Sequence, residues 1–154
     1  MNFEKLLTPK AVKVLSSTTS KKRLLTELSD LASACYGLEG AEVLEALLAR
    51  EALGPTGVGR GVALPHARVD GVEKVTGMFV LLEKPVDFGS VDRQPVDIVF
   101  ALFAPEDAGV EHLKALALVS RTLRDTAVCA KLRSNPSSNT LYTILTEAEG
   151  VKAA

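Results

Sequence analysis

Between Ser20 and Gly37, the residues Leu24, Leu25, Leu28, Leu31 and Ala32 recur at the spacing of one helix face. Ser20 has the side chain of an N-cap and Gly37 the freedom of a C-terminal stop, so the pattern predicts a helix over 20–36. A second amphipathic run, 41–53, places Val43, Leu44, Leu47 and Leu48 on one side and is closed by Gly54. The runs 75–82 and 96–104 are apolar at nearly every position instead of alternating, as in strands covered on both faces. Pro95 and Pro105 bracket the second run and favour strand over helix. Beyond it, Val110, Leu113, Leu116, Ala117 and Leu123 predict a long helix over 109–124, with Glu111 in its acidic first turn. Shorter helices follow over 126–133 and from Ser137 through Leu141, Ile144 and Leu145.

Two helices, several strands and two or three further helices around one sheet predict a three-layer α/β sandwich. The 154 residues and 47% hydrophobic content suit one packed domain spanning 1–154, and no internal repeat or linker interrupts it. Eighteen basic against nineteen acidic side chains give a formal net charge of −1, which disfavours a nucleic-acid partner. The N-terminus lacks a signal-peptide core, and no apolar run approaches the roughly 20 residues of a membrane span, so a cytoplasmic protein is expected. Cys35 and Cys129 are expected to be buried thiols, since they have neither metal-ligand nor CxxC spacing.

Candidate chemistry concentrates in Gly57-Val58-Gly59-Arg60-Gly61-Val62-Ala63-Leu64-Pro65-His66, a glycine loop followed by a short strand expected to end at His66. Glycines in such a loop let backbone N–H groups approach an anion, and strand ends in open α/β sheets are where sites gather. A neutral imidazole keeps one ring nitrogen free as a nucleophile, so His66 is suited to attack phosphorus. Arg50, at the end of the second helix, is the candidate cation for phosphoryl oxygens, although periodicity alone favours reading it as a solvated helix-end charge. His112 falls in the first turn of the long late helix and fits either a surface histidine or a donor facing His66. The loop has neither the GxxxxGK[ST] nor the GxGxxG spacing of nucleotide binding. No GxSxG elbow marks a serine hydrolase, and no HExxH marks a metal site, so neither cofactor nor metal is expected.

Read together, Glu51, Val58, Gly59, Val62, Ala63, Leu64, Pro65, His66 and Ala67 fill a long gapped pattern. That pattern resembles the surroundings of the phosphorylated histidine in the enzyme IIA fructose/mannitol family of the bacterial phosphotransferase system. Pro85 to Asp87, Gln94-Pro95-Val96-Asp97 and Glu111-His112-Leu113 extend the resemblance over nearly the whole chain. It implies a single enzyme IIA type 2 domain over 1–154 with a mixed sheet flanked by helices, as in mannitol-type IIA. It further implies a phosphoenzyme formed at Nε2 of His66, with His112 and Arg50 stabilising the phosphoryl group. The implied donor is a histidine-containing phosphocarrier protein, charged by enzyme I and phosphoenolpyruvate. No IIB-like cysteine setting accompanies the chain, which resembles most the stand-alone, nitrogen-related regulatory branch. The alternatives are a sugar-specific IIA feeding a separate IIB, and a non-catalytic anion-binding module.

Overall fold

A computed structural model describes residues 1–153, and the side chains of residues 1–148. The chain opens with α1 (Phe3–Leu6), a 3₁₀ turn (Pro9–Ala11) and β1 (Val12–Leu15). Two helices follow, α2 (Lys21–Tyr36) and α3 (Gly40–Ala52). Three short strands, β2 (Gly57–Gly59), β3 (Val62–Ala63) and β4 (His66–Arg68), lead to the long strands β5 (Thr76–Val86) and β6 (Val96–Ala104). The helices α4 (Val110–Leu123), α5 (Thr126–Arg133) and α6 (Ser138–Ala153) complete the order.

The helix starts follow their caps. Ser20 accepts from the Arg23 amide at the head of α2, and Asp125 accepts from Ala127 and Val128 at the head of α5. Gly37 stops α2 in the left-handed region at φ 68°. Within α2, Leu24, Leu25, Leu28 and Ala32 are buried as expected.

The sheet runs β1-β5-β6-β3-β2, with β4 also pairing β6. It is mixed: β5 is antiparallel to β6, while β1 is parallel to β5 and both β3 and β4 are parallel to β6. Helices α2 and α3 pack on each other, and α4, α5 and α6 pack in succession, so the sheet is flanked by helices as a three-layer α/β sandwich. β6 lies at its centre, with every residue buried except the half-buried Asp97. Phe79, Phe100 and Phe103 are fully buried there, each contributing roughly 2–3 kcal/mol of burial free energy.

Three local expectations are corrected. His66 opens a strand instead of ending one, because β3 stops at Ala63 and pairing to β6 resumes only at His66↔Leu102. Across the gap, the Leu64 amide donates to Thr56 O at 3.0 Å and Pro65 O accepts from Leu102 N at 3.0 Å. Second, β1, α1 and the 3₁₀ turn precede the first expected helix. Third, α4 turns a different face inward: Val110 and Leu113 are 64% and 67% exposed, whereas His112, Ala115, Leu118, Val119 and Thr122 are buried. Of the cysteines, Cys129 is buried and Cys35 is half-buried, and both are free thiols. Among the described residues, no helix is long and apolar enough to cross a membrane.

Candidate phosphoryl-acceptor site

The glycine-rich segment is a hairpin, and it does not cradle the histidine. Gly59 pairs with Val62 across Arg60 (φ 57°) and Gly61 (φ 79°), the two positive φ values of a type I′ turn. A non-glycine residue is held at the first of these positions from both sides. Asp92 accepts from the Arg60 amide at 2.7 Å, and Arg133 donates to the Arg60 carbonyl at 2.9 Å while gripping Asp97 through its fork. The Asp92 carboxyl is held below its ordinary range, first by that Arg60 amide. Gly61 faces Asp97 and Ile98 on β6, whereas His66 faces Leu102. The turn and the backbone of His66 are therefore about 13–17 Å apart along the ladder at the rise of a strand.

His66 is half-buried at the head of β4. Its Nδ1 lies 2.8 Å from the carbonyl oxygen of Leu64, which can only accept, so Nδ1 carries the proton and Nε2 keeps its lone pair. The acceptor exists because of the strand break. Leu64 is turned out of the β6 ladder, and its carbonyl is available to the side chain two residues on.

His112 comes from the first turn of α4 and is only 6% exposed, so the surface-histidine alternative is removed. Its ring centroid lies 5.8 Å from that of His66 with an interplanar angle of 69°. Its Nε2 is buried and has no hydrogen-bond partner among the described residues. Burial first, then the positive charges of His66 and Arg68, depress its pKa below the ordinary histidine value.

Arg50 reaches the same cleft from the last turn of α3, with Nη1 donating to Gly54 O at 2.9 Å. That bond fixes the guanidinium beside the cleft while leaving its remaining N–H groups for another acceptor. The cleft, about 460 Å³, is lined by Ala46, Ala49, Arg50, Leu53, His66, Ala67, Arg68 and His112. The structure thus gathers all three expected residues from β4, α3 and α4.

It also adds one that the sequence reading omits. Arg68 shares a strand face with His66, and its Nη1 donates to the carbonyls of Glu106, at 3.0 Å, and Ala108. The two-residue strand period was the available signal. Through these bonds β4 is tied to the loop from which α4, and with it His112, departs.

Such a site supplies a nucleophilic nitrogen, a buried imidazole and two guanidinium groups around a small open cleft, a set suited to an anionic group in transfer. Residues 5–148 match the family model described as phosphoenolpyruvate-dependent sugar phosphotransferase system, EIIA 2. The chain belongs to this EIIA type 2 family. A nitrogen regulatory protein of Bradyrhizobium diazoefficiens is 45% identical over 145 residues, covering 94% of this chain and 95% of that protein. The crystal structure of the nitrogen regulatory protein IIA-Ntr from Neisseria meningitidis superposes with a TM-score of 0.85 at 38% identity, over 92% of this chain and 97% of that one. The mannitol IIA of Escherichia coli shares the EIIA fold at 23% identity and a TM-score of 0.77, covering 90% and 98% of the two chains. The three-layer sandwich with a mixed sheet is thus the EIIA type 2 architecture, and the chain is a phosphotransferase-system protein similar to regulatory members of the family.

Proposed function

We propose that this protein is a cytoplasmic phosphocarrier of the nitrogen-related regulatory branch, formed by residues 1–154 as one enzyme IIA type 2 domain and signalling by its phosphorylation state. The observation that carries this reading is the Nδ1···O contact of His66 with Leu64, which leaves Nε2 as the free nucleophile in a cleft with His112, Arg50 and Arg68. A histidine-containing phosphocarrier protein, charged by enzyme I and phosphoenolpyruvate, is the donor. In the transfer, the donor P–N bond breaks with its electron pair returning to the donor imidazole, and a new bond forms from Nε2 of His66 to phosphorus. The positive charge that builds on the His66 ring is drawn toward Leu64 O through Nδ1–H. His112 Nε2 in its N–H form and the free N–H groups of Arg50 bind the equatorial phosphoryl oxygens.

The regulatory branch is favoured because the relatives at 45% and 38% identity are named nitrogen regulatory proteins, whereas the mannitol IIA shares only the fold. Phosphorylation places a near-dianion in the cleft that the exposed Leu53 helps to line, changing the surface that a partner meets. The test is incubation with phosphoenolpyruvate, enzyme I and the carrier protein, read by intact mass. One acid-labile, base-stable phosphoryl group is expected on the wild type and none on His66→Ala. An adduct that persists in His66→Ala overturns the assignment.

A further inference from the structure

We infer that Glu51, a residue that does not line the cleft, is a positioning residue that fixes the tautomer and orientation of His66 through two intervening backbone segments. The inference rests on the acceptor role proposed for His66 and extends it to the support behind the ring.

The Glu51 side chain is 6% exposed at the last turn of α3. Its carboxylate accepts from the Thr56 amide, at 3.3 and 3.2 Å to its two oxygens, and from the Thr56 hydroxyl. On its other side it is paired with Lys21 Nζ at 2.6 Å. Lys21 is itself seated, donating to Phe88 O at 3.2 Å and lying 4.8 Å from the centroid of the fully buried Phe88 ring. The carboxylate is therefore a fixed point between α2, α3 and the loop that enters β2.

From that point the connection runs to the nucleophile. Thr56 is buried, and its carbonyl accepts from the Leu64 amide at 3.0 Å. The Leu64 carbonyl accepts from Nδ1 of His66 at 2.8 Å. Leu64 lies between β3 and β4, in neither ladder, so its placement depends on Thr56 on one side and on the Pro65–Leu102 bond on the other. Removing the carboxylate deprives the Thr56 amide and hydroxyl of their acceptor in a buried place, where unmade hydrogen bonds are costly. The loop then shifts, and the Leu64 carbonyl moves with it. His66 gains access to the tautomer with the proton on Nε2, which cannot attack phosphorus. Support of this kind behind a reactive imidazole has the logic of the hydrogen-bonded outer residues that orient metal-ligating histidines.

The decisive measurement is the ring ¹⁵N spectrum of His66 in the unphosphorylated full-length protein, above the pH at which the ring is neutral. Wild type is expected to hold the Nδ1–H tautomer. Glu51→Ala is expected to raise the Nε2–H population about fivefold, the ratio that one net hydrogen bond corresponds to. Its phosphoryl acceptance is expected to slow about tenfold, as for other outer-support losses. Glu51→Gln keeps an acceptor for Thr56 and is expected to restore the wild-type tautomer. A folded Glu51→Ala with wild-type His66 nitrogen shifts overturns the inference, whatever its transfer rate. Should Glu51→Ala not fold, Thr56→Val, which keeps the amide and loses the hydroxyl, decides the matter. A smaller shift in the same direction supports the relay, and none overturns it. Because the readout needs no phosphoryl donor, a wild type that is never phosphorylated would defeat the proposed function and leave this result standing.

Discussion

The ring of His112 meets that of His66 at 69°, with centroids 5.8 Å apart. Two imidazoles this close cannot both carry a proton cheaply, and the more buried one yields: His112 is held below the usual histidine pKa by burial and by the charges of His66 and Arg68. In an NMR titration, His112 is expected to titrate below the ordinary value. Phosphorylating His66 places an anionic group beside His112, so the same resonance should then titrate at higher pH. A His112 that titrates normally in the free protein, or does not move on phosphorylation, contradicts this electrostatic picture.

The depressed value also sets a direction for stability. Below the unfolded-state pKa of about 6.5, the unfolded chain binds a proton at His112 more readily than the native protein does. Stability contributed by the neutral native ring is complete above that pH and is lost as pH falls toward the native pKa. Urea midpoints measured between pH 7.5 and 5.5 should decline for the wild type. The decline should be shallower for His112→Gln, which cannot titrate.

Arg68 acts on His112 in two ways, by charge and by holding the carbonyls of Glu106 and Ala108. In Arg68→Ala the His112 pKa should move back toward the ordinary value as a repelling cation is lost. Phosphoryl acceptance should also slow by about tenfold through loss of a charge-assisted contact. Arg68→Lys should preserve the pKa effect more fully than the rate, since an ammonium keeps the charge without the fork.

His112→Ala removes the buried donor facing the phosphoryl group and should slow acceptance by about 100-fold, the scale for losing one preorganised donor. His112→Gln should lose less. Arg50→Ala should slow acceptance with near-normal folding, because the guanidinium bond to the Gly54 carbonyl closes only the α3 terminus. Single-turnover rates with the phosphorylated carrier protein check all three.

Gly77 tests the packing of the central strands. A Cβ there would lie 2.6 Å from a Phe100 ring carbon and 3.3 Å from the Ala101 carbonyl oxygen. Gly77→Ala should destabilise the fold by about 1–3 kcal/mol, as overpacked core positions do. Thermal unfolding should show this as a lowered Tm.

What could be read from the residues tracks how local the causes are. The spans of α2, α3 and α5 follow from caps and stripes lying within each segment, and β6 from a run between prolines that is apolar at every position but Asp97. β1 escaped because Val12–Leu15 is four residues long, alternates only once, and becomes a strand through its pairing with β5. The face of α4 was misjudged for a similar reason. Val110 and Leu113 carry the stronger apolar signal, yet the sheet takes up the stripe running through His112, Ala115 and Val119. At the site, His66 stood out from the glycine-rich run before it and from the gapped pattern, whereas Arg50 and His112 became candidates only through the family resemblance. The burial of His112, the bridge made by Arg68 and the support from Glu51 are products of tertiary placement.

The interruption between β3 and β4 has a consequence for what a partner can sense. His66 is carried by backbone bonded to the central strand on both sides of the break, Val62 and Ala63 before it and His66 to Arg68 after it. A nucleophile on backbone paired to the buried central strand has little room to swing when its charge changes, unlike one borne on a loop. Under the proposed chemistry the backbone therefore keeps one form in the free and phosphorylated proteins. A downstream partner must tell them apart inside the cleft, by the added group and the charge it brings.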